Sequence, residues 1–264
     1  MNITDTINTP KELWDLVRKD EYLKSTAGVA PGYLQTNLVT LPKEYAFDFL
    51  LFCQRNPKPC PVLEVLEPGK FEPEILAKGA DIRTDIAFYR IYENGKLKSE
   101  TKNIIDYWND DLVSFLIGCS FTFETAMLNA DISLRHIEQD TTVPMYITNI
   151  QTEPAGKFSG PTVVSMRPIN KENLVRTVQV TSRFPGTHGA PIHIGDPSEI
   201  GIKDINSPDF GEKSKIKDDE IPVFWACGVT PQAVALQSKP PIMITHSPGY
   251  MFVTSTRDES IAVI

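Results

Sequence analysis

The sequence predicts an α+β fold, mixed strands with helices, in a single compact unit over residues 1–264 that contains an internal duplication of a strand–Cys turn–helix–strand unit. Three observations carry this reading. Twenty-one prolines and fifteen glycines are spread along the chain, the punctuation of many short strands and turns and not of a linker. Helix-start signals recur between strand-like apolar runs. One stretch, residues 220–232, also has a counterpart earlier in the chain, residues 113–126.

The elements follow in order. Thr9, Pro10 and Glu12 form a capping box that opens a helix, with Leu13, Trp14, Leu16 and Val17 as its apolar stripe. Residues 29–37 read as a turn leading into a strand over 38–41, with Gln35 and Asn37 as loop-capping amides in preference to ligand-facing ones. Pro42 opens a second helix, which Tyr45, Phe47, Phe49, Leu50 and Phe52 make mostly buried. Cys53 and Cys60 bracket a proline-rich turn, read as structural because no histidine or further cysteine is near. Strands are expected over 61–66 and 81–92, and Asn94-Gly95 is a hairpin signal. Residues 151–160 are the least structured; a strand over 160–168 follows, and residues 170 or 171 to 180 read as a helix and the start of a strand.

The duplication rests on paired residues. Aligning Cys119 with Cys227 places Thr122 on Thr230, Glu124 on Gln232 and Leu128 on Leu236. Downstream, Leu134-Arg135-His136 faces Ile244-Thr245-His246, and Met145 to Thr148 face Met251 to Thr254. The copies lie near residues 111–150 and 219–256, and a pseudo-twofold axis relating them is the expectation. In the second copy an apolar strand reaches Cys227-Gly228, and Thr230 and Pro231 then suit the N-cap and first position of a helix. Such a strand end beside free helix N–H groups suits an anion or oxyanion. Cys119 and Thr230 enter the candidate binding set on that ground, and the helix start is expected to favour thiolate at Cys227.

Composition narrows the class. Apolar residues make up 41% and charged ones 23%, a globular balance, and no apolar run reaches the roughly 20 residues of a membrane span. Residues 1–10 lack a basic-then-apolar leader pattern. Four cysteines without paired spacing point to a reduced, cytoplasmic protein. A formal charge of −8 argues against nucleic acid or an anionic membrane as partner. A small anionic substrate remains compatible with it, as does a homo-oligomer. No dinucleotide or phosphate-loop glycine pattern is present.

Candidate chemistry gathers in the second half. His188, His193 and Asp196 share one glycine- and proline-rich stretch and are read as an acid–base set, in preference to a loop where they only hydrogen-bond backbone. Arg167 and Arg183, each near a proline, offer guanidinium forks to a carboxylate. Glu124, in the first turn of a helix, is favoured as a carboxylate, suited to act as base or cation ligand more than as acid, with plain helix capping as the alternative. His246 belongs to the second copy's histidine segment and is a candidate substrate contact. His188, His193, His246 and Cys227 could supply zinc ligands, but no ligand spacing supports them and no metal is expected.

Several phrases resemble a known family. They are Val164-Ser-Met-Arg-Pro168, His188-Gly-Ala-Pro-Ile-His-Ile-Gly-Asp-Pro197, Pro222-Val-Phe-Trp-Ala-Cys-Gly-Val-Thr-Pro-Gln232 and Ile244-Thr-His-Ser-Pro-Gly249. Earlier come Pro31-Gly-Tyr-Leu-Gln-Thr-Asn37, Asn56-Pro-Lys-Pro-Cys-Pro61, Phe115-Leu-Ile-Gly-Cys-Ser-Phe121 and Leu134-Arg-His-Ile137. Together they resemble the family named "putative hydro-lyase", whose domain also occurs in the mitochondrial D-glutamate cyclase. The resemblance implies loss of water from a small amino or hydroxy acid, with cyclisation of D-glutamate to 5-oxo-D-proline as the specific case and no redox cofactor. The competing reading is a non-catalytic small-carboxylate binding protein.

Overall fold

The computed structural model describes residues 7–263; residues 1–6, part of the stretch scanned for a leader, lie outside the described residues. The first helix, α1 (Pro10–Arg18), begins as its capping box requires. Thr9 Oγ1 accepts from Glu12 N at 3.4 Å, and the Glu12 carboxylate accepts from Thr9 N at 3.1 Å. Its buried stripe sets Trp14 flat on Phe252, 6.2 Å between ring centres, while the indole donates to Val253 O at 2.9 Å.

The next strand starts earlier than expected. β1 (Tyr33–Pro42) includes Gln35 and Asn37, which are buried strand residues and not loop caps. The reason is long-range: a strand from the far end of the chain pairs with residues 33–36. α2 (Lys43–Arg55) follows, but only one of its faces is apolar-packed. Phe49, Phe52 and Cys53 are buried, whereas Phe47 is 73% exposed and Leu50 42%, because a period of 3.6 turns them to the opposite side.

β2 (Val62–Leu66), β3 (Tyr89–Glu93) and β4 (Lys96–Thr101) come next. Asn94 and Gly95 both take positive φ (+50° and +75°), as a two-residue hairpin turn needs. The strand expected over 81–92 is confined to its last residues. Its first part winds instead around buried Asp85, whose carboxylate accepts from Arg18 Nε at 2.6 Å and Asp81 N at 2.7 Å.

The chain then runs β5 (Leu112–Gly118), α3 (Phe121–Asn129), α4 (Arg135–Glu138), β6 (Met145–Gln151), β7 (Pro161–Asn170) and α5 (Leu174–Ser182). It ends β8 (His193–Ile194), β9 (Glu220–Ala226), α6 (Thr230–Ser238), β10 (Ile242–His246) and β11 (Phe252–Arg257).

Among the described residues these strands make two sheets whose pairings are all antiparallel. The larger runs β2-β5-β1-β10-β3-β4, with β11 also on β1; the smaller runs β6-β7-β9-β8. The sheets exchange strands. β5 lies in the larger sheet, yet the chain leaves it through Cys119, α3 and α4 and enters the smaller sheet as β6. β9 lies in the smaller sheet, and the chain leaves it through Cys227 and α6 to enter the larger one as β10 and β11.

Both faces of the larger sheet are covered. Leu34 and Leu38 of β1 point into a core with Trp14, Ile91 and Leu116, while Val39 and Leu41 point into a second core with Phe49, Phe115 and Val234. A third apolar cluster joins the sheets and contains both Cys119 and Cys227. Among the described residues no helix is long and apolar enough to cross a membrane.

Candidate active site

The two cysteine turns are built from the same hydrogen bonds. Cys119 N donates to Gln35 O (3.1 Å), Gln35 N donates to Thr122 Oγ1 (3.1 Å), and Thr122 N donates to Cys119 O (3.1 Å). At the other turn Cys227 N donates to Val163 O (2.9 Å), Val163 N to Thr230 Oγ1 (3.1 Å), and Thr230 N to Cys227 O (3.0 Å). Thr230 is the first residue of α6 and Val229 its N-cap, so the hydroxyl locks the turn to β7 instead of capping the helix.

Glycine is required beside each cysteine by close approach. A Cβ on Gly118 would lie 1.9 Å from Gly186 O, and one on Gly228 would lie 2.0 Å from Asn37 Nδ2. Both thiols line one crevice with Asn37, Ser120 and Met251, whose free volume of about 10 Å³ is at most one water's worth.

That closeness corrects the expected thiolate. Burial pushes the Cys227 thiol up to about 11, and the N–H of Val229 only partly offsets this. Cys119 is raised further, by burial and then by Cys227. Both cysteines are thiols at neutral pH.

Behind Cys119 lies a fully buried charged group. Arg167, from the middle of β7 and 0% exposed, gives Nε to Glu124 Oε1 (2.9 Å), Nη1 to Ser165 Oγ (3.1 Å) and Nη2 to Ser120 Oγ (3.0 Å). Phe123 and Trp225 each hold a ring centre 5.4 Å from the guanidinium, a cation–π enclosure. Arg167 therefore serves Glu124 in the resting protein and is not an open carboxylate seat. His136 of α4, 1% exposed, brings Nε2 to 3.0 Å from Glu124 Oε1 and stacks on Phe121. Burial pushes the Glu124 carboxyl up, but His136 and Arg167 outweigh it, so Glu124 lies below the usual carboxylate range. Its Oε2 has no hydrogen-bond partner among the described residues.

His136 is not among the candidates that the sequence singles out, and its expected match to His246 fails in the structure: His136 lies in α4, whereas His246 ends strand β10. The residue also contributes to the wall of a cleft of about 470 Å³ between residues 23–28 and 136–142. It is thus both wall of a solvent-open cleft and neighbour of the buried carboxylate.

The other candidates are placed apart from one another. His188 is buried at φ +82°, with Nδ1 2.8 Å from Lys58 O and Nε2 unpartnered. Burial lowers its pKa to about 4, the charges of Arg167 and Lys58 adding to the effect, so it is neutral. His193 and Asp196 do not join it. β8 carries His193 along the edge of the smaller sheet, where Nε2 lies 2.7 Å from the Asp196 carbonyl and the ring meets Phe224. The Asp196 carboxylate instead accepts from Ser198 N at 2.9 Å, so it does not orient an imidazole. Arg183 is exposed beyond the end of α5, its Nε on Val263 O at 3.4 Å.

His246 fills the gap where β1 passes from β10 to β11: Leu38 N donates to its Nδ1 at 3.2 Å. Burial lowers it to about 4. Gln232, aligned with Glu124, donates to His246 O at 3.0 Å and accepts from Tyr92 Oη at 3.1 Å, an uncharged counterpart. Among the described residues no three His, Cys, Asp or Glu side chains are gathered to hold a metal ion.

Residues 113–255, which carry both cysteine turns and the buried cluster, match the family described as D-glutamate cyclase. The chain belongs to that family. A Psychrobacter arcticus protein named "Putative hydro-lyase" is 61% identical across 97% of this chain and 97% of its own. One of the same name from Geobacillus kaustophilus is 62% identical across 96% and 97%, and one from Bacillus pumilus 58% identical over the full length of both. Membership of the D-glutamate cyclase family, with relatives so named, classes the chain as a lyase. A solved nitrogen repressor-like protein from Methanococcus jannaschii covers 94% of this chain at 12% identity and a TM-score of 0.40, too distant to carry an argument.

Proposed function

We propose that this member of the D-glutamate cyclase family removes water from a small amino or hydroxy acid, and that closure of D-glutamate to 5-oxo-D-proline is its reaction. The substrate nitrogen attacks the side-chain carboxyl carbon, a C–N bond forms and a C–O bond breaks. Two of the ammonium's three protons end on the departing oxygen, which leaves as water. Such a reaction needs a group that accepts a proton and returns it close by. His136, in the wall of the cleft, is the residue proposed to meet that need, with Glu124 behind it as the fixed carboxylate that holds the imidazole.

The observation that carries the reading is the burial of Glu124, Arg167 and His136 together next to an open cleft. Desolvating such charges opposes folding, and a protein that only binds a carboxylate has no use for an ionised carboxylate behind a histidine. We propose a small anionic substrate and a cytoplasmic location, the latter supported by four free cysteines.

We also propose that the two cysteine turns descend from one duplicated unit. The paired hydrogen bonds support it, as does the register: Tyr146 of β6 stands opposite Val164 of β7, and Phe252 of β11 opposite Thr36 of β1. Gln232 in place of Glu124 then marks the first copy as the one that kept the charge.

Incubating the protein with D- and L-amino acids and hydroxy acids, and following loss of water by mass, tests the reaction. His136→Asn and Glu124→Gln are each expected to cut turnover by about a hundred- to ten-thousandfold with the far-ultraviolet spectrum unchanged. Wild-type turnover in folded samples of both variants would remove the cluster from the chemistry.

A further inference from the structure

We infer that the substrate docks in the outer cleft, with its ammonium on the acidic rim at Asp140 and a carboxylate at Lys24, and not between the two cysteine turns. This rests on the reading of His136 and Glu124 above. The crevice between Cys119 and Cys227 has room for one water at most, whereas the outer cleft, at about 470 Å³, has the volume of a small-molecule site. His136 contributes to the cleft's wall, with its imidazole turned to the buried carboxylate behind. His136 is 1% exposed, and its Nε2 makes no well-formed hydrogen bond although it lies 3.0 Å from Glu124 Oε1.

The rim has a definite charge pattern. Glu138, Asp140 and Glu212 face the cleft, with Lys24 as their cationic counterpart. Glu138 is engaged by Arg135 at 2.6 Å, and Glu212 Oε1 accepts from Thr142 N at 3.3 Å. Neither the Asp140 carboxylate nor the Lys24 ammonium makes a hydrogen bond or ion pair among the described residues, although Asp140 acts through space on the Tyr22 hydroxyl, and both are exposed. A ligand with separated positive and negative ends complements that pair. An amino acid fits it, and a hydroxy acid of the same skeleton leaves Asp140 unmatched.

The test is calorimetric binding of glutamate, 2-hydroxyglutarate and glutarate to the full chain, beside turnover of D-glutamate. Glutamate should bind at least tenfold more tightly than the other two. Asp140→Asn should erase that preference and raise KM about three- to tenfold while kcat changes less, and Lys24→Met should weaken all three ligands. Both positions are exposed, so folding is not at stake. Equal affinity for the three ligands, or a glutamate affinity unmoved by Asp140→Asn, overturns the docking site. The outcomes separate the two claims. Absent turnover with the glutamate preference intact defeats the cyclase reading alone, and turnover indifferent to Asp140 defeats the docking site alone.

Discussion

Arg167 and Glu124 bind each other where neither could stand alone. Removing one partner of a fully buried ion pair leaves an uncompensated charge, so Arg167→Met should lower stability by about 3–5 kcal/mol in urea unfolding. Arg167→Met with Glu124→Gln should recover much of that loss, because no bare carboxylate remains. A single-variant cost below about 1 kcal/mol would show that the charges are not tied together in solution. Cys227 invites a second measurement at this scale. With its thiol pushed up to about 11 and its crevice closed, native protein at pH 8 should resist iodoacetamide at this position, while unfolded protein is labelled at the rate of a free cysteine. Labelling of native protein at the unfolded rate would contradict the burial. Both cysteine turns are legible in the sequence but their dryness is not, since the residues that seal them come from β1, β6 and the approach to β11.

At the scale of elements, signals confined to a few neighbours were legible. The capping box of α1, the Asn94-Gly95 hairpin and the Cys–Gly turn into α6 all appear where local chemistry puts them. What the sequence hid was set by distant partners. β1 is longer than its own pattern indicates because β11 extends it. The 81–92 strand is short because Asp85 draws its first part into a buried turn. Arg167, which looked like a strand-end group on offer to a ligand, lies enclosed by Phe123, Trp225 and Glu124. The close approaches that weld the elements give a direct test. Gly118→Ala sets a methyl against the backbone of Gly186, which cannot swing away, so it should destabilise by about 1–3 kcal/mol and disturb the segment that carries His188. Gly228→Ala meets the Asn37 amide, a side chain, and should cost less. Equal and negligible shifts of the denaturation midpoint would mean that the turns are looser than drawn.

Across the whole molecule, acid should act through two histidines, one against each region of the β1–β5 layer. His188 and His246 are neutral in the fold, with values lowered to about 4, against an ordinary value near 6.5 in the unfolded chain. The unfolded state therefore binds more protons between those limits, and stability falls as pH drops from about 6.5 towards 4. The lowered Glu124 acts in the same sense, its contribution being lost as pH falls through its folded value. Urea midpoints across that window should slope accordingly, and a His188→Gln, His246→Gln double variant should flatten them; an unchanged slope would place the acid-sensitive groups elsewhere. The exchange of strands has a consequence of another kind, for the order in which the protein can be made. Thr36 and Phe252, hydrogen-bonded in the finished sheet, are 216 residues apart. While the chain emerges from a ribosome, β1 has one edge open until nearly the last residue is added. Closing so long a loop is slow, and an open strand edge recruits strangers. The nascent chain is accordingly a natural client for a chaperone, and a stop codon placed just before Phe252 should yield aggregate where the full chain yields folded protein.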